Sequence, residues 1–267
     1  MSAAAPIIAG TEFLDPTAYL REAEAAAAAG ERVAEHALLR CARSLGASVS
    51  EEALTRSRLT DDQLMGRGSL YQRNMRVVDL IESHFGAGPL SIADIGGGSG
   101  ILAHMAPEAS YFLCEPSLNG ATSFDLIEAG REFDVVVAIH VFEHIPDADK
   151  RDFFASLVKL ARRGVVLCNP TDTGTAVERQ KFLIDVYGPL DWLVEHLECG
   201  TPTIPLFEDL AAENDLRLSA YPNGNELISM AQFAMTHFAA ATGDPAMMRK
   251  CGKLMRYINA RRASQDS

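Results

Sequence analysis

Two stretches of the chain carry residues whose types and spacing can do chemistry, and a third lies close behind. In Ser91 to Leu102, Asp94 stands near the end of an apolar run, and glycines follow at 96, 98 and 100. Leu90, Ile92 and Ile95 suit a buried parallel strand. The glycines then permit positive φ and let a ligand approach the backbone without meeting a Cβ, while Ile101 to Met105 can open a short helix. Such a turn is a nucleotide cradle. Asp94 would present a carboxylate beside it, suited to an ammonium group or to a water bound to one, and repellent to a phosphate.

Tyr111 to Glu115 reads as a second short strand ending in an acid, 21 positions after Asp94. A carboxylate at the tip of the second strand of a doubly wound sheet is placed to grip ribose hydroxyls. NAD and S-adenosylmethionine both carry such a ribose, and Gly98, Gly100 and Ala103 also satisfy the dinucleotide pattern G-x-G-x-x-A. The third stretch, Phe133 to Pro146, gives a buried strand from about Val135 to Ile139 and then the polar turn Glu143-His-Ile-Pro146.

In this order and spacing, the Asp94 to Gly100 turn, Glu115-Pro-Ser, and Phe133-Asp134 through Pro146 resemble the class I S-adenosylmethionine-dependent methyltransferases, in the branch with an E-H-I-P turn. The resemblance covers roughly residues 70 to 225. It implies an α/β fold, a doubly wound and mostly parallel Rossmann-like sheet, with S-adenosylmethionine as cofactor. By that resemblance Gly96 and Gly98 would line the cofactor's methionine portion, and Asp94 would hold its amino group directly or through water. Glu115 would take the ribose hydroxyls, and Ala138 and His140 would flank the sulfonium, largely through backbone groups. One departure stands out: between Glu115 and Phe133 the chain is too short for the usual helix and third strand. Leu118, Asn119 and Asp125 are then the candidates for an adenine pocket built differently.

Methyl transfer to a hydroxyl needs a base for its proton, and histidine suits that near neutrality. His144 and His196 are the candidates, with Glu143 either orienting one of them or capping the following helix. Relatives with an E-H-x-x-x-G-x-P segment suggest a sugar or glycan hydroxyl as acceptor. An NAD-dependent oxidoreductase is the rival enzyme class, opposed by Asp94 before the turn, by the long chain preceding the first strand, and by the E-H-I-P turn. A non-catalytic cofactor-binding partner subunit is a third reading.

The elements that must position these residues follow from pattern. The 267 residues suffice for one large domain or a domain with a cap. Expected boundaries are a helical cap over 1–86, a cofactor-binding core over 87–225 with an insertion at 171–205, and a helical segment over 226–267. Asp15-Pro16 starts a helix that ends at Gly30, a second runs to Leu45 and Gly46, Thr60 caps a short one, and Ser69 to Phe85 carries apolar residues at helical spacing. Tyr71 or Arg73 of that helix could close over the cofactor carboxylate. An amphipathic helix from Asp147 ends near Arg162-Arg163, a strand follows at 165–168, and Leu216 to Tyr221 can form another. In the insertion, the single tryptophan, Trp192, is either a substrate wall beside His196 or packing for the insertion. Two methionine-bearing helices close the chain and can form a homodimer surface.

Composition narrows the partners. Lysine and arginine total 24 against 36 acids, a formal charge of -12, and no basic run tracks a phosphate backbone, so nucleic acid is a poor candidate. The five cysteines are widely spaced without a C-x-x-C pair, which indicates neither a disulfide framework nor a zinc site, and no metal-ligating set is read elsewhere. No signal peptide or membrane span is read, so the expected location is the cytoplasm.

Overall fold

The structure, a computed structural model, describes residues 8, 10–223 and 226–263. Its described residues fall into two compact units, one formed by the chain up to 58 with 77–219, the other by 59–76 with the chain from 220 onward. These limits differ from the expected ones at 86 and 225. The N-terminal helices cluster with the sheet rather than forming a cap of their own.

In the first unit four parallel strands form one sheet in the order β2-β1-β3-β4: β1 Ser91–Ile95, β2 Ser110–Cys114, β3 Phe133–Ile139 and β4 Ala161–Cys168. Asp94 stands opposite Leu113 on one side and Val137 on the other. The chain leaves β1 for β2 in one direction and β3 for β4 in the other, so strand order reverses between β1 and β3. In such sheets the crevice outside the carboxyl ends at that reversal is where ligands bind.

β2 is an edge strand, and the N-terminal helices deal with that edge. Helix α1 (Pro16–Ala29) is capped by Asp15, whose carboxylate accepts from the Thr17 amide, and stops at Gly30 in the left-handed region. Helix α2 (Arg32–Ser44) packs along β2 and the short helix α6 (Leu102–Met105). The outward amide of Leu113 donates to the Cys41 sulfur at 3.2 Å, and its outward carbonyl accepts from Asn119. Buried Arg40 donates to the carbonyls of Ala103 (2.8 Å), Ala106 (2.9 Å) and Ala109, clamping α2 to the chain around α6. Unpaired strand edges recruit other chains. Here, where the chain between Glu115 and Phe133 is too short to supply a third strand, a helix covers the edge instead. Ile8 joins this packing, buried and donating its amide to Leu118, so the loose tail expected to about residue 12 is anchored at that residue, and residues 1–7 and 9 lie outside the described set.

Helices α3 (Glu51–Ser57), α7 (Pro116–Asn119) and α8 (Ser123–Glu128) are short and side-chain capped. Helix α9 (Lys150–Leu160) packs on β3, β4 and α8. It ends earlier than expected: Arg162 and Arg163 belong to β4, not to a helix end. Arg162 donates to Ser91 Oγ at 2.9 Å and to Asp134 at 3.1 Å, and Asp134 in turn accepts from the Ser91 amide at 2.8 Å, which pins β1, β3 and β4 together at their amino ends. The insertion after β4 folds as α10 (Ala176–Tyr187) and α11 (Asp191–Cys199), followed by α12 (Ile204–Glu213). The strand expected at Leu216 to Tyr221 does not form: these residues are exposed and without regular structure, with no strand neighbour to complete a ladder.

The second unit holds α4 (Asp61–Met65), α13 (Glu226–Thr242) and α14 (Pro245–Ala263), together with the first part of α5 (Ser69–Phe85). Buried Asn259 organises it, donating to the Met65 carbonyl at 2.7 Å and accepting from Gln72 at 2.7 Å. Tyr71 and Arg73, the candidates for closing over a cofactor, lie in this unit. No helix among the described residues is long and apolar enough to cross a membrane.

Candidate functional site

At the carboxyl end of β1, Gly96, Gly98 and Gly100 take φ values of 67°, 56° and 75°. Two of them are also held by space. A Cβ on Gly96 would lie 2.6 Å from a Val141 methyl, and one on Gly100 would lie 2.5 Å from Ala37. Gly98, by contrast, has nothing within 4 Å of its missing Cβ, and its amide points to Glu115 Oε2 at 2.9 Å. The turn is open at this glycine alone.

Gly97 lies directly on Asp94: a Cβ there would be 2.3 Å from Oδ2. Asp94 is 1% exposed, its Oδ2 accepts from the Tyr111 hydroxyl at 2.8 Å, and Oδ1 has no hydrogen-bond partner. Burial, opposed by the Tyr111 bond and aided by nearby Glu115, pushes this carboxyl up to about 7. Asp94, expected to hold a cofactor amine directly or through water, is thus a buried carboxyl packed against the turn at Gly97.

Glu115 caps α7, with Oε1 accepting from the Ser117 amide (3.1 Å) and hydroxyl (2.7 Å). With the Gly98 bond, three of its roughly four lone-pair sites are used, which leaves about one for a ligand hydroxyl. Beside it opens a cavity of about 380 Å³, lined by Gly98, Ser99, Ser117 and Leu118 and, from α2, by Ala34 and Leu38. Leu118 is thus a wall residue. Asn119 is not: it is fully buried, both amide hydrogens go to Tyr19 Oη and the Leu113 carbonyl, and its oxygen accepts from the amides of Glu115 and Ala121. Asp125 is occupied in a capping box with Thr122. Ala138 is buried near the carboxyl end of β3, opposite Leu167 of β4.

The turn after β3 is built from side chains. His140 leaves the strand at φ 57°, a conformation that non-glycine residues seldom hold, with its amide on the Cys168 carbonyl at 2.8 Å. Its Nδ1 lies 2.9 Å from Glu143 Oε1, without the alignment of a hydrogen bond. Glu143 is completely buried, and neither carboxylate oxygen has a hydrogen-bond partner. His144 Nδ1 meets Glu195 Oε2 at 2.7 Å, and its Nε2 meets His196 Nε2 at 3.1 Å. His196 Nε2 is also 4.0 Å from Glu143 Oε1. Burial pulls His196 down to about 4 against the raising effect of Glu143, so this imidazole is neutral at ordinary pH.

Bringing α11 onto this turn takes a separate anchor. Lys150, buried at the start of α9, donates to the carbonyls of Cys199 (2.6 Å) and Gly200 (2.7 Å) at the end of α11 and pairs with Asp147. A cation on the last carbonyls of a helix satisfies groups that have no partner within it. From below, Phe142 is fully buried against Phe153 and Phe207. Trp192 stacks edge-on to His196 with ring centroids 5.3 Å apart and is 38% exposed, so it meets both the cluster and solvent.

The structure thus gathers Glu143, His144 and His196, as well as His140, in one cluster, and joins it to the glycine turn where Gly96 meets Val141. Sequence reasoning missed Gly97, Tyr111, Val141 and Lys150. Only Gly97 carried a visible signal, as the middle member of the glycine run; the others act through contacts between distant positions. No protein-family model matches the chain, and no curated protein matches it. Among solved structures it is similar to a cyclopropane-fatty-acyl-phospholipid synthase-like protein from Lactobacillus casei ATCC 334, at 14% identity over 79% of this chain and 89% of that chain, with a TM-score of 0.39. At that distance the likeness bears on no residue and no activity. The sheet order and the crevice define an α/β, Rossmann-like protein on their own terms.

Proposed function

We propose that the protein is an S-adenosylmethionine-dependent methyltransferase acting on a hydroxyl of a small molecule or glycan. The observation that carries this reading is the pairing of an open glycine turn with a carboxylate from the next strand, Gly98 beside Glu115, at the point where strand order reverses. The residues fit the cofactor. Gly98 offers backbone without a side chain, Glu115 keeps lone-pair capacity for a ribose hydroxyl, and the cavity walled by Leu118, Ala34 and Leu38 offers an apolar place for a base. Helix α2 then supplies the wall that the short chain between Glu115 and Phe133 cannot. When bound, the cofactor supplies an electrophilic methyl on sulfur. The turn holds its amino-acid end, with Asp94 acting through the turn rather than by touch. The cluster of His144, His196 and Glu143 lies on the neighbouring strand end, where an acceptor oxygen can be aligned and its proton removed.

Calorimetric titration with S-adenosylhomocysteine, and with NAD in parallel, tests this. Saturable binding of S-adenosylhomocysteine that weakens at least tenfold in Glu115→Ala supports it. Binding of NAD alone, or of neither, overturns it.

A further inference from the structure

We propose that Glu143, His144 and His196 hold a divalent first-row transition-metal ion, and that this ion takes the acceptor's oxygen; the second half rests on the methyl-transfer reading, the first does not. One ligand atom from each residue lies within 4.8 Å of the other two. Two of the separations, 3.1 Å between His144 and His196 and 4.0 Å between His196 and Glu143, bracket the roughly 3.3–3.6 Å that bonds of about 2.0–2.2 Å give around a tetrahedral ion.

Three features of the cluster ask for a cation. Glu143 is wholly buried with both oxygens lacking a hydrogen bond, since His140 Nδ1, 2.9 Å from Oε1, is not aligned to give one, and this is a costly state for a carboxylate unless a positive partner meets it. Glu195 accepts from His144 Nδ1, which fixes the proton there and leaves Nε2 bare toward the cluster. A carboxylate on the far nitrogen of an imidazole is the usual outer support of a metal-bound histidine. Finally, if the 3.1 Å approach of the two Nε2 atoms is a hydrogen bond, His196 must spend its proton on His144, and Glu143 gains nothing from it. An ion between them satisfies all three groups at once.

The donor set selects the ion. Two imidazole nitrogens and one carboxylate suit zinc, cobalt or iron(II), whereas magnesium and calcium prefer oxygen alone. Three protein ligands leave a fourth position, and half-buried His144 and exposed Glu195 place it toward solvent. An oxygen bound there gives up its proton to water more readily, so the histidines would act as ligands rather than as bases.

The test is titration of the purified full chain with Co²⁺, read by visible absorption and by metal analysis after dialysis. One Co²⁺ per chain with a tetrahedral-type band, displaced by Zn²⁺ and weakened at least tenfold in Glu143→Gln and His196→Gln, supports the site. Should either buried variant fail to fold, His144→Gln carries the same expectation on a less buried ring. Absence of saturable Co²⁺ binding, or affinity unchanged in the folded variants, overturns it. S-adenosylhomocysteine binding on the same samples separates the two readings: metal without cofactor sinks methyl transfer and leaves the site, and cofactor without metal does the reverse.

Discussion

The turns that follow β1 and β3 leave adjacent strands and touch at Gly96 and Val141, yet they are built on opposite plans. The first works by removing side chains: three left-handed glycines and a fourth lying flat on Asp94 leave backbone exposed at Gly98. The second works by gathering side chains, with His140, Glu143 and His144 meeting His196 and Glu195 of α11. A backbone site can be contiguous in sequence because its geometry is local. A side-chain site of this density needs a second element brought from elsewhere, and here that element is held by Lys150.

The sharpest way to break the comparison is inside the glycine run. Gly97→Ala drives a Cβ onto the Asp94 carboxylate, so S-adenosylhomocysteine affinity is expected to fall more than 100-fold, with a lowered melting temperature. Gly98→Ala meets no atom and should cost only the left-handed penalty of about 1–2 kcal/mol in denaturant unfolding. Equal losses of stability at the two positions would show that collision with Asp94 does not govern the turn. On the other side, His144→Ala should lower methyl-transfer turnover by about 10²–10⁴-fold while cofactor affinity stays within about twofold. A matching loss of cofactor affinity in that variant would erase the division between a binding turn and a reacting one.

Asp94 gives the next largest effect. Its carboxyl titrates at about 7 in the fold against 3.8 as a reference, so between those values the folded state holds a proton that the unfolded state has released. Stability therefore declines as pH rises from about 4 to about 7, by roughly 4 kcal/mol, and stays low above that. Asp94→Asn should flatten this slope in urea titrations at several pH values; an unchanged slope would place the titrating group elsewhere. Arg40→Ala, which strips a donor from three carbonyls, should cost about 2–3 kcal/mol and leave the Co²⁺ titration unaffected. The smallest effect is at His140: His140→Gly should keep stability within about 1 kcal/mol of the starting protein, because glycine takes φ 57° without strain, while His140→Ala should lie below it. The reverse ranking would mean that the imidazole, not the backbone, sets the stability there.

The same contrast explains what could be read in advance. Asp94, the glycines and Glu115 could be placed at strand ends because strand, turn and acid follow one another within 22 residues, 94–115. The helices from Pro16 to Ala29 and from Ser69 to Phe85 were likewise legible from caps and spacing. What could not be read was which way a polar side chain faces. Asp94 and Asn119 both looked like ligand-facing groups; burial under Gly97 and four internal hydrogen bonds, respectively, turn them inward. Arg162 misled for a related reason. Its basic character suited a helix end, but its partners, Ser91 and Asp134, lie on other strands. Nor did a cluster of His144 with His196 have any sequence signature, since it depends on Lys150 capping α11.

The helix that covers the β2 edge has a consequence for the order of synthesis. Cys41 and Arg40 are made before the groups they meet, Leu113 and the carbonyls from Ala103 to Ala109. When β2 emerges from the ribosome, its cover is already in the chain, so the strand need not wait for later residues to be shielded on that side. The opposite order, with α1 and α2 moved to the carboxyl terminus by circular permutation, would leave the edge bare for the whole time that β3, β4 and the insertion are being made.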